Sequence, residues 1–300
     1  MAKKAKGHKD ITIIGGGALG SAFVHLLGER AHVWDIHPER TTVNKLEESI
    51  TTSSTVFLCI PSWVNRAAIM EIQQIWGADT ENKVIITMAK GTEPGFITME
   101  QVLAEQSKNT FAYGVLYGPM LAGELAQGLG GTGTLALNNP KLSTTVSKLF
   151  KGTELQIETS KDLRGTTLCG VLKNIYALGF GIYDALEQGY NAKSQLFLEI
   201  VRESQTLLKA LGGKPETIFM SCGIADMLTT GWSGSSYNYR IGYKLGLGED
   251  REELTSEGTT TLINLAAKHS IKQYPIIHTL HEIILGNKDP KDLLYSQQKR

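Results

Sequence analysis

The sequence predicts an α/β fold: a doubly wound sheet in the amino-terminal half, followed by an all-helical carboxy-terminal domain. Three observations carry this. A glycine-rich turn joins an apolar strand to a helix within residues 10–27. Apolar runs and helical stretches then alternate, as βαβ units do. Beyond Ser160 the strand signals stop and helical periodicity takes over. The boundary falls near 158–162, giving a first domain over 1–160 and a second over 161–300. A chain of 300 residues suits two cores better than one.

Residues 10–14 (DITII) form the first strand, and residues 21–27 (SAFVHLL) the helix after the turn. Gly15, Gly17 and Gly20 occupy the GxGxxG positions. The first glycine makes the tight turn, the second admits a pyrophosphate to the backbone, and the third lets helix and strand pack closely. The helix amino terminus offers free N–H groups and a positive dipole to phosphate. Ala18 and Leu19 therefore join the three glycines as expected cofactor-binding positions of a Rossmann-type domain. Residues 31–35 (AHVWD) are the second strand. Asp35 ends it about 20 residues beyond Gly15, the interval at which an acid takes the adenosine ribose hydroxyls. An acid there repels a 2′-phosphate, so NAD is expected over NADP, with His37 and Arg40 close enough to soften the preference.

Residues 54–60 (STVFLCI) read as a buried parallel strand closed by Pro61-Ser62, and 65–76 as a helix. Residues 83–89 (KVIITMA) form the next strand, with Lys90-Gly91 at its carboxyl end, where open α/β sheets bind ligands. A helix at 98–106, strands at 111–117, 132–138 and 155–159, and a helix at 140–150 complete the first half. In the second half, helical pattern runs over 163–209 with a break at Gly189-Tyr190. Lys173 and Asn174 interrupt its apolar face. Burying an unpaired ammonium is expensive, so Lys173 either snorkels to water or lines a polar pocket. Gly212-Gly213-Lys214-Pro215 ends one helix and starts another. Asp226 and Thr230 share a helical face. Residues 231–240 (GWSGSSYNYR) read as a polar loop able to fold over a ligand. Glu257-Gly258 opens a helix over 259–269, and 278–294 holds a packing helix and a short terminal one.

Thirty basic residues balance thirty acidic ones, so global charge favours neither nucleic acid nor a membrane surface as a partner. Cys59, Cys169 and Cys222 are too few and too scattered for a zinc site or a disulfide framework, and no metal is expected. Cys59 is expected reduced in the core. The basic start (MAKKAKGHKD) reads as a frayed, soluble terminus rather than a signal peptide. The apolar stretch around Val171 is too interrupted by charge to span a membrane. A reducing, cytoplasmic setting follows. An apolar face on the helical half would favour a homodimer.

Together these blocks resemble the NAD(P)-dependent glycerol-3-phosphate dehydrogenases of the soluble bacterial type. The resemblance runs from Ile11 to about Leu285. It includes Gly15 to Gly20, Ile60-Pro61-Ser62, Ala89-Lys90-Gly91, Gly118-Pro119, Leu172-Lys173-Asn174, Asn191-Ala192-Lys193, the GGKPET block from Gly212, Asp226 with Thr230, Ser236 with Asn238, and Glu257-Gly258. It implies that Lys173 is the general acid protonating the dihydroxyacetone phosphate carbonyl, and the base in reverse. It implies that Lys90 polarises the same oxygen and touches the cofactor, and that Asp226 and Thr230 orient Lys173 and the substrate. Asn174, Ser236 and Asn238 fall to the substrate, with Asn238 on its phosphate. Gly118 and Ala122 fall where backbone groups meet substrate and cofactor, and Pro61, Tyr237 and Glu257 near the cofactor. Elementary chemistry agrees: reducing a ketone needs hydride on carbon and a proton or positive charge on oxygen. Two facing ammonium groups would lower a lysine's pKa, and Asp226 would act the other way.

Three departures stand out. Tyr237 replaces the arginine usual between Ser236 and Asn238, and tyrosine cannot grip phosphate bidentately. Arg240 or Lys193 are candidates to replace it. Met120 replaces a serine after Gly118-Pro119. Ile36 and His37 stand where NADP-using members often carry an arginine. The leading expectation is reduction of dihydroxyacetone phosphate to sn-glycerol 3-phosphate with NADH, feeding phospholipid synthesis. One alternative keeps the chemistry on a related small phosphorylated, phosphonate or carboxylate ketone. Another is a non-catalytic NAD(H)-binding protein, against which Lys90, Lys173, Asn174 and Asp226 speak. The 3-hydroxyacid dehydrogenases place an asparagine four residues after the lysine, where this chain has Ala177.

Overall fold

The structure is a computed structural model that describes residues 10–249 and 254–295. The basic run at 1–9 lies outside the described residues. The chain forms two compact units. The first comprises residues up to Ala89, Met99–Leu116 and Met120–Leu163; the second comprises Lys90–Thr98, Tyr117–Pro119 and the chain from Arg164.

The first unit carries a seven-stranded sheet. Its strands are β1 (Ile11–Ile14), β2 (Ala31–Trp34), β3 (Thr55–Leu58) and β4 (Val84–Thr87), then, after a hairpin of β5 (Thr92–Glu93) and β6 (Ile97–Thr98), β7 (Ala112–Tyr117), β8 (Gly131–Leu137) and β9 (Leu155–Ser160). The order is β2-β1-β3-β4-β7-β8-β9. The first five of these run parallel in register, and β8 pairs parallel with β9. Every residue of β1, β3 and β4 is buried, as strands covered on both faces must be. The order reverses about β1, with β2 on one side and β3 on the other. That switch point opens a crevice at the strands' carboxyl ends.

The helices of this unit are α1 (Ala18–Leu27), α2 (Leu46–Thr52), α3 (Ser62–Trp76), α4 (Met99–Ser107), α5 (Ala122–Ala126) and α6 (Ser143–Lys148). Phe23 of α1 meets Phe57 and Phe150 edge-to-face, with centroids 5.5–5.7 Å apart across the three pairs. Each such pair adds about 0.5–1.5 kcal/mol beyond its buried area.

The second unit is built around α7 (Leu163–Ala185), buried without a break from Gly165 to Tyr183. Around it lie α8 (Tyr190–Ala210), α9 (Asp226–Trp232), α10 (Tyr237–Gly246), α11 (Glu257–Lys268), α12 (Pro275–Ile284) and α13 (Asp292–Tyr295). No helix among the described residues is long and apolar enough to cross a membrane. The buried carboxylate of Glu203 on α8 accepts from the Ile276 and Ile277 N–H groups, at 2.8 and 3.0 Å. It therefore satisfies donors of the first turn of α12, where Pro275 has none to offer.

α7 and α10 cross with backbones nearly touching. A Cβ on Gly242 would lie 2.1 Å from the Leu178 carbonyl oxygen, and one on Gly181 2.1 Å from that of Tyr239. Gly242→Ala is therefore expected to lower stability by about 2 kcal/mol or more, because neither backbone can yield without moving a helix. Gly123→Ala, exposed within α5 with nothing near its Cβ, is the control and should stay within about 1 kcal/mol of the parent. Urea midpoints for the two variants, followed by circular dichroism, check this. An equal response would remove the crossing as the cause.

Candidate active site

The glycine turn does different work at each position. Gly15 has φ +98°, and a Cβ there would lie 2.6 Å from the Cys59 carbonyl oxygen. A Cβ on Gly20 would lie 1.8 Å from the Gly15 oxygen. The fold itself requires those two. Gly17 is otherwise: a Cβ there meets nothing within 4 Å among the described residues. Its missing side chain leaves room at the mouth of α1, where no side chain caps the helix. A pyrophosphate fits that cradle, with the turn residues Ala18 and Leu19 supplying first-turn N–H groups.

The crevice is a cavity of about 560 Å³, bordered by Gly15, Gly17, Asp35 and Pro61 among others. Asp35 is locked beside the turn: Oδ2 accepts from the Gly16 N–H at 2.6 Å and Oδ1 from the His37 N–H at 2.9 Å. Burial raises its pKa, but those two N–H groups and the charges of His37 and Arg40 outweigh it, leaving the carboxyl below its ordinary range. It is a fixed negative charge on the border of the cavity. Ala122 opens α5, which packs against α1. Cys59 is half-buried and borders the cavity rather than sitting wholly in the core, and burial pushes its thiol up to about 12.

The second unit gathers the titratable cluster. Lys173 lies midway along α7, and Asp226 is the first residue of α9. The segment before α9, Ser221–Ala225, is broken at Gly223, whose backbone leaves helical values (φ −98°, ψ −105°). α9 therefore starts afresh, with Asp226 in its first turn. Lys173 Nζ donates to Asp226 Oδ1 at 2.7 Å and to Thr230 Oγ1 at 2.8 Å. Thr230 spends its own hydroxyl proton on the Asp226 carbonyl, at 2.7 Å. Lys90 Nζ donates to Asp226 Oδ2 at 2.7 Å and lies 5.5 Å from the Tyr117 ring centre. Gly118 follows that ring directly. The β5–β6 hairpin beyond Lys90 is held by Asn264 of α11, which donates to Thr92 Oγ1 and the Glu93 carbonyl, and by Arg164 of α7, which donates to Thr98 Oγ1.

One carboxylate thus holds two ammonium groups, and the cluster is net positive. Lys173 is only 9% exposed and Asp226 2%. Burial is the largest influence on Lys173 and lowers its pKa; Asp226 raises it and Lys90 lowers it again, and the result is about 8. Burial, more than the neighbouring lysine that the sequence points to, sets this depression.

Asn174 belongs to an adjoining cluster. Its amide donates to Glu257 Oε2 at 3.3 Å. Asn238 Oδ1 accepts from the Gly258 N–H at 2.8 Å, while its Nδ2 makes no hydrogen bond among the described residues. Gly258 sits so close that a Cβ would lie 2.3 Å from the Asn174 carbonyl oxygen. The buried Asn238 amide is therefore a spare donor.

Comparison with known proteins places this arrangement. The family model for the NAD-dependent glycerol-3-phosphate dehydrogenase C-terminus matches residues 162–295, and that for the N-terminus matches 34–143. A curated glycerol-3-phosphate dehydrogenase [NAD(P)+] of Synechococcus sp. (strain RCC307) is 30% identical over 97% of both chains. The chain belongs to the NAD-dependent glycerol-3-phosphate dehydrogenase family. A second relative of the same name, from Dehalococcoides mccartyi (strain ATCC BAA-2100 / JCM 16839 / KCTC 5957 / BAV1), is 33% identical over 82% of this chain and 71% of its own. The crystal structure of glycerol-3-phosphate dehydrogenase from Coxiella burnetii superposes with a TM-score of 0.83 at 25% identity, covering 97% of this chain and 98% of the other.

Within this glycerol-3-phosphate dehydrogenase framework some expectations need correction. Residues 231–240 are not one loop. α9 runs to Trp232, and Ser236, accepting from the Tyr239 N–H, caps α10, so Tyr237, Asn238 and Arg240 lie in its first turns. Tyr237 is exposed. Arg240 is exposed too, stacked on the Tyr237 ring at 5.7 Å and donating to the Ser235 carbonyl. Lys193 does not stand in for the missing arginine. Its ammonium is bound to Asp184 at 2.6 Å and lies 5.0 Å from the Trp232 ring centre and 5.5 Å from that of Tyr239, whose hydroxyl also binds Asp184. Met120 lies near Gly133 of β8, its sulfur 3.1 Å from where a Cβ would be. The sequence reading also missed the apolar border of the cavity, Ile36 at 76% and Trp63 at 73% exposure. Ile36 stands two residues beyond β2, and Trp63 is the second residue of α3, which follows β3; those places carry the signal, but neither side chain has polar chemistry to advertise it.

Proposed function

We propose that the chain interconverts dihydroxyacetone phosphate and sn-glycerol 3-phosphate with NAD(H), with Lys173 as general acid and base. The observation that carries this reading is the single Asp226 carboxylate holding both Lys173 and Lys90. Asp226 Oδ1 and Thr230 Oγ1 occupy two N–H bonds of Lys173. Its third direction is left for the substrate oxygen, as a proton in the ammonium and as a lone pair in the amine. Thr230 cannot receive a proton from the amine and keep its own bond, so it orients rather than relays. Lys90 adds positive charge where the carbonyl oxygen becomes negative. The bound dinucleotide supplies or accepts the hydride at the carbonyl carbon. Asn238 Nδ2 and the net positive cluster suit the substrate phosphate, with Asn174, Gly118, Ser236 and Arg240 as further contacts.

The cofactor falls to residues 1–160 and the substrate to 161–300. Gly15, Gly17, Gly20 and Asp35 hold phosphate and ribose, Ile36 and Trp63 flank the adenine, and Pro61, Ala122, Tyr237 and Glu257 contribute nearby. NAD is preferred over NADP because Asp35 is fixed in its charged form. Asp35→Ser should raise kcat/KM for NADPH relative to NADH by about tenfold, since removing one close like charge is worth about 1.4 kcal/mol. An unchanged ratio in coenzyme kinetics would leave Asp35 without this role. The working form is a cytoplasmic homodimer feeding glycerophospholipid metabolism.

NADH oxidation with dihydroxyacetone phosphate, run beside unphosphorylated dihydroxyacetone, tests the reading. Turnover should require the phosphate, and equal rates on the two ketones would sink it. Tyr237, uncharged where the family carries arginine, favours one second reading: the same chemistry on a related phosphorylated, phosphonate or carboxylate ketone.

A further inference from the structure

We propose that Lys173 is also a carbonyl-reactive amine, which condenses reversibly with phosphorylated three-carbon aldehydes and so exposes the site to capture by the aldehyde isomer of its substrate. The proposal rests on the reading above that the site admits a phosphorylated carbonyl compound. It does not rest on the acid–base role.

The geometry around Nζ carries the argument. A neutral amine has two N–H bonds and one lone pair. Asp226 Oδ1 at 2.7 Å and Thr230 Oγ1 at 2.8 Å can only accept here, because the Thr230 proton is spent on the Asp226 carbonyl. Both N–H bonds of the amine are therefore claimed, and the lone pair is directed away from those two acceptors, with the Lys90 ammonium as its other polar neighbour. That is the form of an oriented nucleophile. Lysines become nucleophilic when desolvated or set beside another cation, and Lys173 meets both conditions. Lys90 differs: it lies between a carboxylate oxygen and an aromatic face, both partners of a cation. Two lysines share one carboxylate, yet only one is arranged to attack.

The class of reagent follows from charge and access. Two ammonium groups against one carboxylate leave a positive site, which draws an anionic small molecule. The spare Asn238 amide adds a donor for its phosphate. An aldehyde carbon is less hindered and more electrophilic than a ketone carbon, so the aldehyde isomer is the reactive partner. In the condensation, nitrogen bonds to the aldehyde carbon as the carbonyl pair moves to oxygen. The oxygen then leaves as water, carrying the two amine hydrogens, and a C=N bond remains. No oxidant or reductant takes part.

The test uses the full chain without NADH. It is incubated with glyceraldehyde 3-phosphate, trapped with borohydride and mapped by peptide mass spectrometry. One adduct is expected, on Lys173, suppressed by glycerol 3-phosphate and at least tenfold weaker with unphosphorylated glyceraldehyde. It should be about 25-fold stronger at pH 8.5 than at 6.5, since the titratable groups facing Lys173, Asp226 and Lys90, leave it half neutral near pH 8. Adducts on Lys90 or scattered over exposed lysines, or no adduct at all, would overturn the proposal. Ketone reduction measured on the same preparation separates the two readings. Turnover that is lost in Lys173→Arg, beside a wild type that takes no label, removes the nucleophile and leaves the acid in place.

Discussion

Lys173→Ala is expected to lower kcat for ketone reduction by about three orders of magnitude while leaving the NADH dissociation constant within about twofold. Positioned acid–base catalysis contributes about 10²–10⁴-fold, and the buried Lys173 is the group whose third N–H has no acceptor among the described residues. Lys90 is not a substitute, since its ammonium is held on Asp226 Oδ2 and the Tyr117 ring. NADH affinity should persist because the cofactor crevice is built from other residues: the glycine turn, Asp35 and the border at Ile36 and Trp63. Stopped-flow reduction and fluorescence titration of NADH measure the two quantities separately. Loss of both together would mean that Lys173 supports the fold rather than the chemistry.

The pH dependence follows from the lowered pKa. Reduction needs the ammonium, so its rate should fall as pH rises through about 8; oxidation needs the amine and should rise through the same point. Stability runs in the corresponding direction. The folded protein binds the Lys173 proton less tightly than the unfolded chain, whose lysine titrates near 10.4. Between about pH 8 and that value the unfolded state carries more protons, so stability rises with pH across the window. Below it, the cost of burying the ammonium is fully present. Lys173→Met removes that cost, and its denaturation midpoint should draw closer to that of the wild type as pH rises through the window.

What sequence alone revealed follows how local each signal is. The glycine turn and Asp35 lie within one βαβ unit, and the Gly16–Asp35 bond closes it over 19 positions. Fixed spacing made that half legible. The central strands were equally plain, because β1, β3 and β4 are nearly all apolar, with one threonine in each. The reactive cluster is different. Lys90 and Asp226 are 136 positions apart, and Lys173 and Asp226 are 53 apart. No periodicity brings them together; only family resemblance did. Thr230 was placed on the face of Asp226 by helical spacing, and its bond to the Asp226 carbonyl has that four-residue step. The start of α10 was missed although Ser236 is a ready N-cap, because the polar residues after it read as loop. The two-residue strands β5 and β6 and the short α5 are too brief to carry a period. Their places are set by contacts such as Asn264 to Thr92.

Asp226→Asn should be nearly as damaging as loss of Lys173, but by a different route that leaves a different trace. The amide retains one good acceptor, Oδ1, for two ammonium groups, and turns N–H donors toward the other. One buried lysine then faces a donor instead of an acceptor. Breaking a buried ion pair costs about 3–5 kcal/mol when the surviving charge stays in place. The lysine has a cheaper course, which is to give up its proton. The influence that raises the pKa of Lys173 is gone, while burial and Lys90 still lower it. The acidic form needed for reduction is therefore scarce at neutral pH. The pH limb for reduction should move below 8, and kcat at pH 7.5 should drop by about 10²-fold, with partial recovery at pH 6. Oxidation should suffer less at the same pH, because the amine it needs is already formed. Stability should show the matching asymmetry, with the deficit against wild type larger at pH 6 than at pH 9. Lys173→Ala has no such signature, since no pH restores a missing amine. Rate profiles in both directions, with urea midpoints at the two pH values, separate these cases. A limb still at pH 8 in Asp226→Asn would mean that the carboxylate places the two lysines without setting their protonation.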